Sequence, residues 1–246
     1  MKRRALIIFC DNTSSGPLPG PSSDFENYNT YLQSKTGGEW HPDEIMGLHN
    51  PRIAQVKYAV SNFMAGAKYA MIIFTGHGCI DADNKSCLEV FDGEVRIKDI
   101  KPDSPRKTIV IDACREKVAP TTIEPETRVF SKMMESVLEL PSTRSLFDRY
   151  VLSAPEGLSI LYAASENQSA LDTPNGAAYL ISLLKVAENW RDSGNTSMVL
   201  TIKEAHLLAA SYLEENFEET DQIPKILSEK RTTYFPFAVK MVPLNS

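Results

Sequence analysis

Residues 70–78 read AMIIFTGHG, and residues 108–114 read TIVIDAC. Each stretch contains a continuous apolar run, which predicts a strand buried on both faces of a parallel sheet. The first run leads into His77 and Gly78, and the second leads into Cys114. Because open α/β sheets place ligands and chemistry at the carboxyl ends of their strands, the sequence predicts that an imidazole and a thiol meet at one edge of the sheet.

The rest of the chain predicts further strands and helices around these two. An apolar run at residues 4–9 predicts another buried strand. Asn50-Pro51 favours the start of a helix that continues to residue 64, and Thr201 with Glu204 forms a capping box. The remaining predicted elements are helices at 24–34, 128–140, 175–190 and 201–216, a hairpin at 88–97, and strands at 158–164 and 234–241. This order predicts an α/β fold with a mostly parallel central sheet and crossover helices.

Composition narrows the class of protein. A chain of 246 residues with 42% hydrophobic content suits one large α/β domain. A formal charge of −6 without a basic block argues against a nucleic-acid-binding protein. The apolar run that follows Lys2-Arg3-Arg4 is too short for a signal peptide or a membrane span. We therefore expect a soluble, cytoplasmic protein that binds neither nucleic acid nor membrane.

The cysteines do not predict a disulfide framework or a metal site. They contain no CxxC pair, which agrees with an intracellular protein. A zinc site built from His77, Cys79 and Cys87 would need spacings that fit none of the usual ligand pairs. Cys10, at the end of a predicted strand, is typical of a small core residue. We expect no metal and no cofactor.

Strand geometry predicts which side chains share the site. Residues two apart in a strand point to the same face, so Thr75 lies with His77, and Asp112 lies with Cys114. If the two strands are neighbours in matching register, His77 sits beside Cys114 and Thr75 sits beside Asp112. Loops from other strands should emerge at the same edge. They bring the number of acidic candidates near the thiol to four, namely Asp24, Asp112, Glu166 and Asp172.

These residue types indicate acyl-transfer chemistry. In this interpretation Cys114 attacks a carbonyl carbon, and His77 moves the proton to the leaving amine. The backbone N–H groups of Gly78 and Cys114 would hold the oxyanion. Asp112 is unhelpful to a thiolate, because a nearby negative charge raises the thiol pKa. A carboxylate kept at that position favours a second purpose, which is binding a cation of the substrate.

The motifs at residues 74–78 and 112–115 resemble those of a clan of cysteine peptidases. The clan includes caspases, metacaspases, paracaspases, legumain, gingipain and separase. Residues 18–24, 168–170 and 222–224 add a looser similarity, so the resemblance covers most of the chain. It implies peptidase family C14 of a short bacterial type, and a caspase-like three-layer α/β/α sandwich. It also implies one domain, 1–246, with a large-subunit-like half (1–115), a linker (116–157) and a small-subunit-like half (158–246).

Departures from the caspase pattern point to a different specificity. Caspases carry glutamine two residues before the nucleophile and glycine two residues after it, where this chain has Asp112 and Glu116. They also place an arginine in the first loop, and the stretch around Leu18 has none. The resemblance to metacaspases and paracaspases implies instead an acidic pocket for a substrate Arg or Lys. Its positions match Asp24, Thr75, Asp112 and Asp172.

The resemblance also bears on activation and on calcium. Metacaspases often bind calcium through clustered aspartates, whereas this chain offers only Asp92 and Asp99 near the hairpin, so no cofactor is assigned. The linker resembles one that such enzymes cleave, which implies an upstream protease as a partner. Its candidate cleavage sites, equally readable as ordinary surface charges, are Arg128, Lys132, Arg144 and Arg149.

Two other functions remain open from the sequence. The first is a catalytically silent caspase-like interaction or regulatory module. The second is a flavodoxin-like ligand-binding domain, although the chain has no Gly-rich phosphate loop. The leading prediction is a cysteine endopeptidase that cleaves protein or peptide substrates after Arg or Lys.

Overall fold

A computed structural model describes residues 1–81, 83, 85–115, 142–217, 220–229 and 231–241. Its strands are β1 (Arg3–Phe9), β2 (Asn12–Thr13), β3 (Gly16–Pro17), β4 (Ile45–His49), β5 (Tyr69–Thr75), β6 (Gly78–Ile80), β7 (Ser86–Val90), β8 (Gly93–Arg96), β9 (Arg106–Asp112), β10 (Gly157–Tyr162), β11 (Asp172–Thr173), β12 (Gly176–Ala177), β13 (Val199–Thr201), β14 (Lys225–Ser228) and β15 (Pro236–Val239). Its α-helices are α1 (Pro21–Gln33), α2 (Ile53–Tyr58), α3 (Ile97–Ile100), α4 (Thr143–Ser153), α5 (Ala178–Asp192) and α6 (Ile202–Asn216).

A six-stranded sheet forms the centre of the fold. Its strand order is β14-β10-β9-β5-β1-β4, and every neighbouring pair is parallel except β10 with β14. The three middle strands are buried over nearly their whole length, as their continuous apolar runs predict. The prediction of a mostly parallel α/β sheet is confirmed.

Helices cover both faces of this sheet. Ile7, Ile73 and Val110 point to one face, where they pack with residues of α1, α4, α5 and α6. Residues one position away in the same strands point to the other face, where α2, α3 and the β7–β8 hairpin cover them. The alternation of strand side chains thus builds two cores around one sheet. This is the expected three-layer α/β/α sandwich.

Several predicted boundaries were wrong for identifiable reasons. The predicted helix at Asn50-Pro51 begins only at Ile53, because Asn50 has a φ of +42° and Arg52 is the N-cap residue. Asparagine tolerates this left-handed conformation better than most residues. The predicted strand at 234–241 is β15, which pairs with β13 in a separate two-stranded sheet rather than joining the centre. The capping box of α6 and the 88–97 hairpin are confirmed.

Part of the predicted linker belongs to the folded core. Helix α4 lies within residues 116–157, and it buries Leu146, Phe147 and Val151 against the main core. The helix predicted at 128–140 lies outside the described residues. Of the predicted linker, the segment from residue 142 onward is therefore an integral part of the sandwich.

Candidate active site

The predicted register of the two central strands is confirmed. Strands β5 and β9 are parallel neighbours, and Thr75 pairs with Asp112. The Gly76 N–H donates to the Asp112 carbonyl at 3.2 Å, which continues the pairing past the strand end. His77 and Cys114 each follow this pair by two residues. Both therefore emerge at the same carboxyl edge of the sheet, where neighbouring strands are about 4.8 Å apart.

Gly78 lies directly against the cysteine segment. A Cβ atom at Gly78 would be 2.7 Å from the Ala113 Cβ and 2.8 Å from the Cys114 carbonyl oxygen. Real Cβ atoms do not approach so closely, so only glycine lets the two segments touch here. Gly78 pairs with Leu88 of β7, and the Glu89 N–H donates to the His77 carbonyl at 3.0 Å. This is the non-hydrogen-bonded type of antiparallel pair, in which the Gly78 N–H points away from β7.

The imidazole of His77 is oriented by a backbone carbonyl. Its Nε2 atom lies 3.1 Å from the carbonyl oxygen of Gly16, in the short β2–β3 hairpin. A carbonyl oxygen can only accept a hydrogen bond, so Nε2 carries the proton. The other ring nitrogen, Nδ1, is then the one that can accept a proton.

Glu89 holds the hairpin that carries Gly16. Its carboxylate accepts hydrogen bonds from the Thr13 hydroxyl at 2.6 Å and the Ser15 hydroxyl at 2.7 Å, and from the Ser15 N–H at 3.3 Å. Glu89 thus acts on His77 in two ways. Its backbone N–H bonds to the His77 carbonyl, and its carboxylate holds the hairpin whose Gly16 carbonyl accepts from the imidazole. This role of Glu89 could not be predicted from the sequence, because its partners lie more than 70 residues away and no local pattern marks them.

We expect Glu89→Gln to lower kcat by about tenfold while KM changes little. The amide keeps the shape but replaces charge-assisted hydrogen bonds with weaker ones, and each such bond contributes about 1.5–3 kcal/mol. The Gly16 carbonyl would then hold His77 less firmly. A positioning role also predicts a shifted pH dependence of Cys114 alkylation by iodoacetamide. Glu188→Gln, at an exposed position on α5, is the matched control. An unchanged kcat and alkylation profile in Glu89→Gln would rule out this role.

The thiol of Cys114 contacts a segment from the other half of the chain. The Ala170 N–H lies 3.4 Å from Cys114 Sγ and donates to it. Two glutamines fix this segment. The Gln168 side chain bonds to Ser165, Asp221 and Ile223, and the Gln222 side chain bonds to Leu171 and the Ala163 carbonyl. The thiol therefore lies between two well-anchored segments.

Arg115, the residue after Cys114, is held by several contacts and pairs with one of the acidic candidates. The buried guanidinium lies 4.3 Å from the ring centroid of Tyr162 and donates to the Ser86 hydroxyl at 3.2 Å. It also donates to the Glu166 carboxylate at 3.2 Å. Glu166, which was expected among the acidic residues near the thiol, is therefore engaged by Arg115.

The other three predicted carboxylates form an acidic recess beside Thr75. Asp24 accepts from the Thr75 hydroxyl at 2.6 Å and from the Ala177 N–H at 3.0 Å. Asp172 accepts from the Gly20 N–H at 3.0 Å through one oxygen. Its other oxygen, and Oδ2 of Asp112, are buried without a hydrogen-bond partner among the described residues. We name Asp24, Thr75, Asp112 and Asp172 the acidic recess.

The acidic recess brings three carboxyl groups together without a paired cation among the described residues. Burial raises the pKa of Asp24 to about 7. Burial, followed by the charges of Asp24 and Asp172, raises the pKa of Asp112 well above its usual value. The pKa of Asp172 is raised by burial too, although the Gly20 N–H and the nearby His77 partly offset this. Among the described residues none of the three carboxylates forms an ion pair. Buried carboxylates in this state favour a cationic ligand.

Side chains of metal-ligand type come together in a different group from the one that the sequence suggested. In the part of the chain that the structure describes, Cys79, Cys87 and Glu94 are the group whose ligand atoms come together, and His77 is not part of it. Asp92 and Asp99, the residues considered for calcium, instead accept from the backbone N–H groups of Ile53 and Arg96. They act as helix caps.

The comparisons with known proteins place the chain in a family. Among the described residues, no helix has the length and apolar character needed to cross a membrane. A search of curated proteins gives no match. The family model described as the caspase domain, Peptidase C14, matches residues 2–236. That match spans nearly the whole chain, and the sheet, the helices on both faces and the strand-end histidine and cysteine agree with it. The chain therefore belongs to the caspase-domain family of cysteine peptidases.

Proposed function

We propose that this protein is an endopeptidase with a His77/Cys114 dyad that cleaves peptide bonds after Arg or Lys. The family supplies the general activity, and the shared strand edge supports the choice of these two residues. The observation that carries the specificity is the acidic recess, in which Asp112 Oδ2, two residues before Cys114, is buried with no hydrogen-bond partner in the described part of the chain. A substrate guanidinium or ammonium group would supply the missing donor and the missing positive charge.

The proposed reaction uses the geometry around each residue. Nδ1 of His77 takes the thiol proton, and Cys114 Sγ attacks the scissile carbonyl carbon. The Gly78 and Cys114 N–H groups stabilise the oxyanion, and the Gly78 pairing type supports the first of these roles. His77 then protonates the leaving amine, which departs and leaves a thioester on Cys114. Water deprotonated by His77 hydrolyses the thioester, which restores the thiol.

A panel of fluorogenic peptides tests this proposal. The peptides are identical except for Arg, Lys, Ala or Asp before the cleaved bond. They are incubated with the full chain before and after treatment with a limiting amount of a second protease. We expect release after Arg and Lys at least about 10²-fold faster than after Ala or Asp, since pairing a buried charge contributes 2–5 kcal/mol. Preference for Asp would refute the pocket, and no release under any condition would leave the catalytically silent module as the better function.

The raised pKa of Asp24 predicts a pH-dependent affinity. Below pH 7 the carboxyl is largely protonated, and a bound Arg favours the ionised form, so binding strengthens as pH rises. For a pKa of about 7, the ionised fraction grows about tenfold between pH 6 and pH 8, and we expect Kd to fall by a similar factor. Fluorescence anisotropy of an Arg-terminated peptide on Cys114→Ala protein measures Kd without turnover. Asp24→Asn should flatten the profile, and a flat profile in the parent protein would contradict the assignment.

Activation by linker cleavage is part of the proposal, but two of its candidate sites lie in a helix. Arg144 and Arg149 lie inside helix α4. Arg144 forms two 2.7 Å hydrogen bonds to Glu44, and helical backbone does not offer the extended conformation that peptidases bind. Both residues are therefore poor cleavage sites. The other candidates, Arg128 and Lys132, lie outside the described residues.

A further inference from the structure

A three-stranded antiparallel sheet follows the catalytic histidine and brings two thiols together. Strands β6, β7 and β8 form this sheet, and Cys79 of β6 pairs directly with Cys87 of β7. Paired residues of antiparallel strands point to the same face. Cys87 also pairs with Arg96 of β8, so Glu94, two residues before Arg96, lies on this same face. Three adjacent strands thus contribute one ligand-type side chain each.

The ligand atoms have the spacing of a metal site. The Cys79 Sγ and Glu94 Oε1 atoms are 3.4 Å apart, and the two sulfurs and the carboxylate oxygen all lie within 4.8 Å of one another. With zinc bonds of about 2.3 Å to sulfur and 2.0–2.2 Å to oxygen, tetrahedral ligand atoms are roughly 3.5–3.8 Å apart. Small side-chain rotations are sufficient to reach that geometry.

We propose that Cys79, Cys87 and Glu94 bind a zinc ion, with water in the fourth position. Two thiolates favour zinc over calcium or magnesium, which prefer oxygen ligands, and a carboxylate is an accepted third zinc ligand. The site is separate from the thiol of Cys114. It does not depend on the proposed peptidase function, because binding is measured in a protein without that thiol.

The charges around the thiols favour a cation. Burial, followed by the charge of Glu94, raises the pKa of Cys79 to about 12 and that of Cys87 to about 11. Asp81 accepts from the Cys87 thiol at 3.5 Å, and its carboxylate is also paired with Arg96 at 2.7 Å. We therefore leave Asp81 out of the set of zinc ligands, because Arg96 already balances its charge. Zinc replaces the thiol protons, so binding releases two protons per ion.

The position of the site gives zinc a structural role. Cys79 is two residues from His77, and Cys87 is two residues from Glu89, the residue that holds the Gly16 hairpin. An ion joining β6, β7 and β8 fixes β7, which carries Glu89, and β6, which begins directly after His77. Zinc binding should therefore stabilise the fold around His77 without taking part in the reaction.

Zinc and cadmium titrations of the full-length Cys114→Ala protein test the proposal. With a competing chromophoric chelator we expect one zinc per chain, and with cadmium a thiolate-to-metal charge-transfer band in the ultraviolet. Cys79→Ser and Cys87→Ser should each weaken zinc binding by at least about tenfold, because even outer neighbours of metal ligands contribute 10–100-fold. Glu94→Gln should weaken it as well. Cys10→Ala removes the remaining cysteine and should leave binding unchanged.

A second measurement separates loss of the site from loss of the fold. Thermal unfolding of Cys114→Ala should shift upward on adding zinc, because a ligand that binds only the native state stabilises it. Cys79→Ser in the same background should unfold at the zinc-free temperature whether or not zinc is added. Zinc binding that survives both cysteine substitutions would overturn the proposal. So would an absence of binding, or a Cys79–Cys87 disulfide found by mass spectrometry in protein purified in the presence of a reducing agent.

Discussion

Cys114→Ala is expected to reduce kcat/KM for an Arg-terminated peptide by at least about 10⁴-fold. The substitution removes the atom that forms the covalent intermediate, and losses of this size are typical when a nucleophile is deleted. The fold should survive, because Cys114 is half-buried and the N–H···S hydrogen bond from Ala170 that is lost involves sulfur, a weak acceptor. Initial-rate kinetics and the thermal unfolding temperature measure the two effects separately.

Covalent labelling makes this prediction specific to one of four cysteines. A peptidyl chloromethyl ketone ending in arginine should add once, at Cys114, as located by mass spectrometry of the digested protein. Cys10→Ala is the control, since Cys10 is fully buried and its burial raises its pKa strongly. That variant should keep full activity and full labelling. Labelling at Cys79 or Cys87 in place of Cys114 would refute the assignment of the nucleophile.

Asp112→Asn is expected to lower kcat/KM for Arg and Lys peptides by about 10²–10³-fold. The amide has the same shape but no charge, and removing one partner of a buried charge pair costs 2–5 kcal/mol. Cleavage after Ala, slow in the parent protein, should change by less than about threefold. This contrast distinguishes a lost pocket from a damaged catalytic pair. Asp172→Asn provides a milder comparison within the same recess, because Asp172 is less buried than Asp112.

The same substitution should stabilise the empty protein at neutral pH. The folded-state pKa of Asp112 is raised above its unfolded value. Its contribution to stability is therefore fully present below about pH 4, and it falls as pH rises towards the folded pKa. Asparagine does not ionise, so we expect a higher unfolding temperature for Asp112→Asn than for the parent at pH 8. The difference should vanish near pH 4. A lower unfolding temperature at pH 8 would show that another group balances the charge of Asp112.

The sequence was sufficient for the features that depend on local pattern. Continuous apolar runs predict β1, β5 and β9. Strand alternation predicts that Thr75 lies opposite Asp112 if the two strands are neighbours in matching register, and they are. Strand β4 was missed because its five residues, IMGLH, form only a short apolar stretch interrupted by glycine, and all five are half-buried at the sheet edge.

The missed parts of the site depend on contacts between distant segments. The Gly16 carbonyl and Glu89 reach His77 through backbone positions and loop closure, which leave no periodicity in the sequence. The grouping of Cys79, Cys87 and Glu94 was missed for a different reason. The sequence prediction rested on the spacing of ligands along the chain. These three residues instead come from three strands, and strand pairing sets the distances between them. Sequence spacing predicts contacts within an element far better than contacts across a sheet.

Arg115 ties the segment around Cys114 directly to residues 164–168, which follow the 116–141 segment in the sequence. Its side chain bonds to the Ala164 carbonyl and to Glu166, and its backbone exchanges hydrogen bonds with Asn167 and Gln168. Six residue pairs also join β9 to β10, which lie on either side of the 116–141 segment in the sequence. We therefore expect a chain cleaved within residues 116–141 to remain together as a non-covalent complex of two fragments. The two halves, expressed as separate polypeptides, should thus reassemble by fragment complementation, since the β9–β10 pairing and the contacts of Arg115 join them directly.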